Sequence, residues 1–160
     1  MSGLVAFAAA IFIGVITGFR IFLPLLIVGV AIRKDWLTVG SSLDFLGSWP
    51  ALIVIAFFFA IETAIHYAPA ADAAAGCVRM PFAAAVTLIL ELAMIPDTIH
   101  PVLYFSCLLL SAAVSITVSG SRIPLHAGKW LAGPLGALGV NSAEDVAVFV
   151  ATVLLLVAWS

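Results

Sequence analysis

Apolar residues fill this chain in long runs, and most polar side chains collect between the runs. Crossing about 30 Å of hydrocarbon takes about 20 helical residues, and that ruler marks about five membrane segments. The first runs from about Leu4 to Ile32, interrupted by Arg20 and Pro24. The second opens at Trp49-Pro50, where proline suits a first helical turn, and continues to Tyr67. The third, from about Pro81 to Ile95, is short. It is either a thin span or one extended at its start by residues 70–80 lying along the interface. The fourth runs from Pro101 to Gly120. The fifth, from about Ala143 to Trp159, has Asn141 or Ser142 as a helix cap, with Glu144 and Asp145 at its positive end.

Loops are short and no linker or charge run divides the chain, so residues 1–160 form a single polytopic domain. Trp36, Trp49, Tyr67, Trp130 and Trp159 fall near segment ends, where amphipathic rings favour the headgroup zone. The first apolar run lacks a basic leader and is too long for a secretory signal, so it reads as a retained span. Loop cations are nearly balanced, Arg33 and Lys34 against Arg79 and Lys129, so charge bias does not fix the orientation.

Composition makes the class firm. With 65% hydrophobic and 9% charged residues the chain carries far more apolar surface than a soluble domain of its length can bury. The expected fold is an all-α integral membrane protein, its environment a lipid bilayer. A net charge of -2 offers no basic excess for a phosphate backbone, which argues against nucleic acid as a partner. Cys77 and Cys107 lack metal or disulfide spacing and read as small apolar residues.

The polar interruptions carry the information. Pro24 removes a helical N–H and frees the carbonyl of Arg20; Pro124 does the same for Gly120. Gly18 and Gly120 add local backbone freedom, so Gly18, Pro24, Gly120 and Pro124 mark expected helix breaks. Gly18-Phe19-Arg20-Ile21 and Gly120-Ser121-Arg122-Ile123 share a pattern, and five spans would make their segments antiparallel. That suggests an inverted repeat, segments one and two against four and five. Irregular backbone at membrane depth needs protein or a wet cavity around it, and broken helices are the sequence-level pointer to a transporter site. Arg20 lies about 24 Å into its segment at the helical rise and needs a partner. The candidates are Glu62, Glu91, Glu144 and Asp145. Arg122 either joins this site or reaches an interface along its own stem. A buried arginine–carboxylate pair is either a structural clamp or a pair that exchanges partners during transport.

Enzyme signatures are missing: no zinc-protease motif, no nucleophile elbow, no phosphate-binding glycine loop. Glu62 and His66 share a helix face, but their spacing does not fit a dinuclear bundle site. No catalytic residue, metal or cofactor is expected. Small-residue runs at 83–88 and 111–120 allow close helix approach, within one chain or across a homodimer.

Gly18-x-Arg20 with Pro24, Glu62 followed by Pro69 and Asp72, Arg79-x-Pro81, and Asn141 with Glu144-Asp145 together resemble a bacterial integral membrane family classed as a domain of unknown function. The resemblance spans most of the chain and implies an all-helical membrane protein without an assigned activity. Where that family usually has an acidic residue this chain has His66, so the resemblance does not carry an ionic role over to that position. The functional expectation is a transporter or flippase-like module in the bacterial inner membrane, handling a small anionic or lipid substrate. Arg20, Arg122, Glu62, Glu144 and Asp145 would form its site. The alternative is a non-transporting scaffold or assembly factor.

Overall fold

A computed structural model describes residues 3–40, 43–66, 69–94, 100–131 and 133–159, with side chains except at 69–74, 76, 77, 122–138 and 159. The order is α1 (Gly3–Phe19), α2 (Phe22–Arg33), a 3-10 turn (Asp44–Gly47), α3 (Trp49–His66), α4 (Pro69–Met94), α5 (Pro101–Leu131) and α6 (Gly133–Trp159). The chain is all-helical. Trp49–His66, Pro101–Ser121 and Gly139–Ala158 are long and apolar enough to cross a membrane, and α1 and α2 are shorter apolar helices. Their outer faces are greasy: Phe105 is 64% and Leu109 73% exposed, an arrangement suited to lipid rather than water.

Packing fixes the direction of each helix. Gly3 faces Leu103, Gly14 faces Ser111 and Gly18 faces Val118, so α1 and α5 run parallel. Glu91 meets Ser111 while Gly120 meets Met80, so α4 runs against α5. Gly29 lies on Leu52, Phe22 stacks on Phe58 and Ile21 bonds to Glu62, so α3 runs against α2. Following the chain from α3 into α4, these pairings leave one solution: α2 runs back antiparallel to α1. The first apolar run is therefore a helical hairpin that reverses at Arg20-Ile21.

That reversal alters the expected repeat. One extra turn-back changes the parity of every later helix, so α1 and α5 point the same way and the two G-x-R-I phrases lie in parallel rather than inverted helices. Nor does the second phrase break its helix, since α5 continues through Gly120 and Pro124 to Leu131. Gly120 serves packing there: a Cβ would lie 3.1 Å from the Met80 methyl. A proline can stay in a membrane helix when the carbonyl it frees finds other partners.

Two further boundaries differ from expectation. The 70–80 stretch continues directly into the third span, because α4 carries Pro81 in its interior without ending. The last helix starts at Gly133-Pro134, with proline in the first turn, so Asn141 and Ser142 are interior residues rather than caps. Asn141 is fully buried and donates to the His66 carbonyl at 3.1 Å.

The core is apolar, with Ile13, Leu25, Val28, Leu90 and Val148 contributed by four helices. Between α1 and α5 the backbones touch. A Cβ on Gly14 would sit 2.5 Å from the Ser111 carbonyl oxygen, with no side-chain end able to yield. Gly14→Val should destabilise the protein by about 1–3 kcal/mol through overpacking, read as a lower unfolding temperature in detergent. Gly139→Val, where a Cβ meets nothing within 4 Å, is the control that should lack this clash.

Candidate functional site at the hairpin tip

A helix end leaves unpaired carbonyls and a helix start leaves unpaired N–H groups, which cannot be abandoned in a dry interior. At the tip both sets meet, and distant side chains satisfy them. The Arg20 N–H closes the last turn of α1 on Ile16 at 3.0 Å. The Gly18 carbonyl accepts from Ser119 at 3.2 Å and the Phe19 carbonyl from Arg79 Nη2 at 2.5 Å. At the start of α2, Ile21 and Phe22 donate their N–H groups to the two oxygens of Glu62 at 3.0 and 3.1 Å. Pro24, third residue of α2, lacks an N–H where a helix start would leave one unbonded, so the break costs little at that position.

Charge follows the helix dipoles. A carboxylate sits at the positive start of α2 and a guanidinium at the negative end of α1, each in its favourable place. Arg79 Nη2 also pairs with Glu62 Oε1 at 3.1 Å. His66 extends this set: its Nδ1 lies 2.8 Å from the Glu62 carbonyl and its Nε2 2.7 Å from Arg79 Nη1. Arginine can only donate, so Nε2 accepts and the ring proton sits on Nδ1, donating to the carbonyl. The guanidinium lies between the Glu62 carboxylate and the His66 ring. Among the described residues no three metal-ligating side chains converge.

Arg20 lies at the centre. It is fully buried, and its Nε meets Asp145 Oδ1 at 2.5 Å, the Asp145 side chain being 26% exposed. Nη1 and Nη2 have no hydrogen-bond partner among the described residues. Asp145 is six residues inside the apolar Gly139–Ala158 window and Glu62 four from the end of Trp49–His66. At the helical rise this places the tip about 6–9 Å inside one end of the apolar zone.

Of the residues singled out from sequence, Arg20, Glu62 and Asp145 come together here with Gly18 and Pro24. Glu144 is half-buried on α6, and the ion pair to Arg20 is made by Asp145 instead. The Arg122 side chain lies outside the described residues. Arg79 is the member sequence reasoning missed. Its sign was Arg79-x-Pro81 on a stretch treated as an interfacial extension, whereas α4 carries it to the tip.

Beside the tip, a hollow of about 180 Å³ opens between α2, α3 and α4. Phe22, Phe58, Ile65 and Phe82 form apolar walls, and Glu62, His66 and Arg79 form the charged end. The family match covers residues 7–158, nearly the whole chain. The chain belongs to the DUF4126 family, a domain of unknown function. No curated protein and no solved structure matches it. For this DUF4126 member the chemistry therefore rests on the site itself: a helix reversal among apolar helices, its ends held by charged side chains from α3 and α4.

Proposed function

We propose that the protein is a small transporter or flippase-like module of a bacterial inner membrane, acting on an amphipathic anion. One observation carries this: the apolar, aromatic-walled hollow leads to Arg79 and Glu62 at a helix reversal, beside a buried guanidinium with two nitrogens unpartnered among the described residues. An acyl or similar apolar tail suits the walls. An anionic group suits the α2 start, where it can replace the Glu62 carboxylate on the Ile21 and Phe22 N–H groups and draw Arg79 to itself. Losing that cap would loosen the hairpin, which links binding to movement of α2. The hollow lies at the rim of one chain, so a homodimer is the simplest way to enclose a path.

The scaffold alternative draws on the closure of Arg20, which is held by Asp145 with no exposed surface. Liposomes separate the two. Vesicles containing the protein should move a fluorescent anionic phospholipid between leaflets faster than protein-free vesicles, and Arg79→Gln should lower that rate at least about tenfold while the helical content is kept. The same slow rate with and without protein, for anionic and zwitterionic lipid alike, would remove the flippase reading.

A further inference from the structure

A second polar set lies between α1, α4 and α5, away from the tip. Glu91 is fully buried on α4 and hydrogen-bonded to Ser111 of α5. Its other oxygen, Oε1, has no partner among the described residues, and neither of the described ion pairs involves it. One turn along, Thr17 of α1, Thr87 of α4 and Ser115 of α5 meet, with Thr17 and Thr87 hydroxyl oxygens 2.5 Å apart and Thr17 to Ser115 at 3.3 Å. A further turn brings Ser119 to the Gly18 carbonyl at the hairpin tip. Hydroxyls at 111, 115 and 119 thus form a ladder from Glu91 to the candidate site.

We propose that Glu91 is a proton-binding site, and that the proton it takes up and releases drives the transport cycle. The second half of this statement rests on the transport reading above. An ionised carboxylate here would be stripped of water with one oxygen lacking any donor among the described residues, an unfavourable state for a charge. Hydrogen-bond arithmetic agrees. Ser111 has a single hydroxyl proton and two acceptors in reach, the Leu108 carbonyl at 3.1 Å and Glu91. With a proton on Glu91, the carboxyl donates to Ser111 while Ser111 donates to Leu108, and both contacts are satisfied. Among the described residues no neighbour supplies a compensating cation. From α5 the titratable group facing Glu91 is Cys107, fully buried one turn before Ser111. Helix α1 has no charged or titratable residue. The one charged residue of α2, Arg33, is exposed, donates to the Gly47 carbonyl and stacks on Trp49. Glu62 and His66 of α3 are bound with Arg79 at the tip. Thr17 and Gly18 of α1 share the hydroxyl ladder that begins beside Glu91, so a change in the charge of Glu91 acts on the same helix that carries the hairpin tip.

Infrared spectroscopy of the protein in lipid at neutral pH tests the site without requiring transport. A protonated-carboxyl carbonyl band is expected, lost in Glu91→Gln and shifted in Ser111→Ala, which keeps the acid but removes its partner. A spectrum without that band, a band that survives Glu91→Gln, or one that appears only when Na⁺ is removed would overturn the proposal, the last by making this a sodium site. In proteoliposomes a pH gradient should speed the wild-type flux of the anionic lipid, and Glu91→Gln should abolish that dependence. Flux that stays gradient-sensitive in Glu91→Gln would overturn the coupling. No flux even in the wild type would sink the transport reading instead, with the infrared result unaffected.

Discussion

Replacing Arg20 with methionine should destabilise the protein by about 3 kcal/mol and, on the transport reading proposed above, stop transport. The side chain is fully buried against Asp145, and removing one partner of a buried pair leaves the other charge uncompensated, typically at about 3–5 kcal/mol. Asp145 is 26% exposed and can recover some hydration, which puts the expected cost at the low end of that range. The informative comparison is the double variant Arg20→Met, Asp145→Leu. With both charges gone the pocket is apolar in an apolar setting, and stability should return to within about 1 kcal/mol of the wild type. Denaturant titration in mixed micelles reads this. Transport should remain absent in the double variant. If it recovers along with stability, Arg20 is a clamp and nothing more.

Glu62→Ala should cost about 3–5 kcal/mol. The carboxylate accepts the Ile21 and Phe22 N–H groups and pairs with Arg79, and each buried donor left empty costs about 1–3 kcal/mol. These terms share a network, so they do not add in full. Glu62→Gln keeps one acceptor oxygen but presents an NH₂ to the second donor and loses the charge, so its loss should be roughly half as large. Hydrogen exchange at Ile21 and Phe22 checks the mechanism, because these two amides should lose protection before the rest of α2. If Glu62→Ala unfolds with the wild-type profile, the carboxylate does not hold the start of α2.

How much of this was legible in the sequence differs by feature, for physical reasons. Lipid as the solvent follows from composition, because no arrangement of so apolar a chain could hide its surface. The break at Arg20 was also legible, since Gly18, Arg20 and Pro24 each disfavour a continuous apolar helix. Its direction was not. An interrupted apolar run is compatible with one kinked span or with two arms folded back, and what decides is whether the freed backbone groups find partners. Those partners are Glu62, Arg79 and Ser119, some 40 to 100 residues away. The inverted repeat failed for the same reason, as it depended on counting the hairpin as one crossing. Asn141, Ser142, Glu144 and Asp145 looked like the start of a helix because cap residues and acids gather there; in the interior of α6 the same types serve tertiary contacts, Asn141 to His66 and Asp145 to Arg20. Arg79 escaped notice because an arginine beside an alanine-rich stretch resembles an interfacial residue until α4 is seen to run unbroken through it.

The reversal at Arg20 underlies the site, the parity of the bundle and the link from Glu91 to the tip, and its topology can be measured directly. In a protein with Cys77 and Cys107 replaced by serine, single cysteines at Gly3 and Lys34 can be labelled with a membrane-impermeant thiol reagent in sealed vesicles of one orientation. A hairpin puts both cysteines on the same side of the membrane, so they should label together or be protected together. Labelling from opposite sides would mean that α1 and α2 form a single crossing.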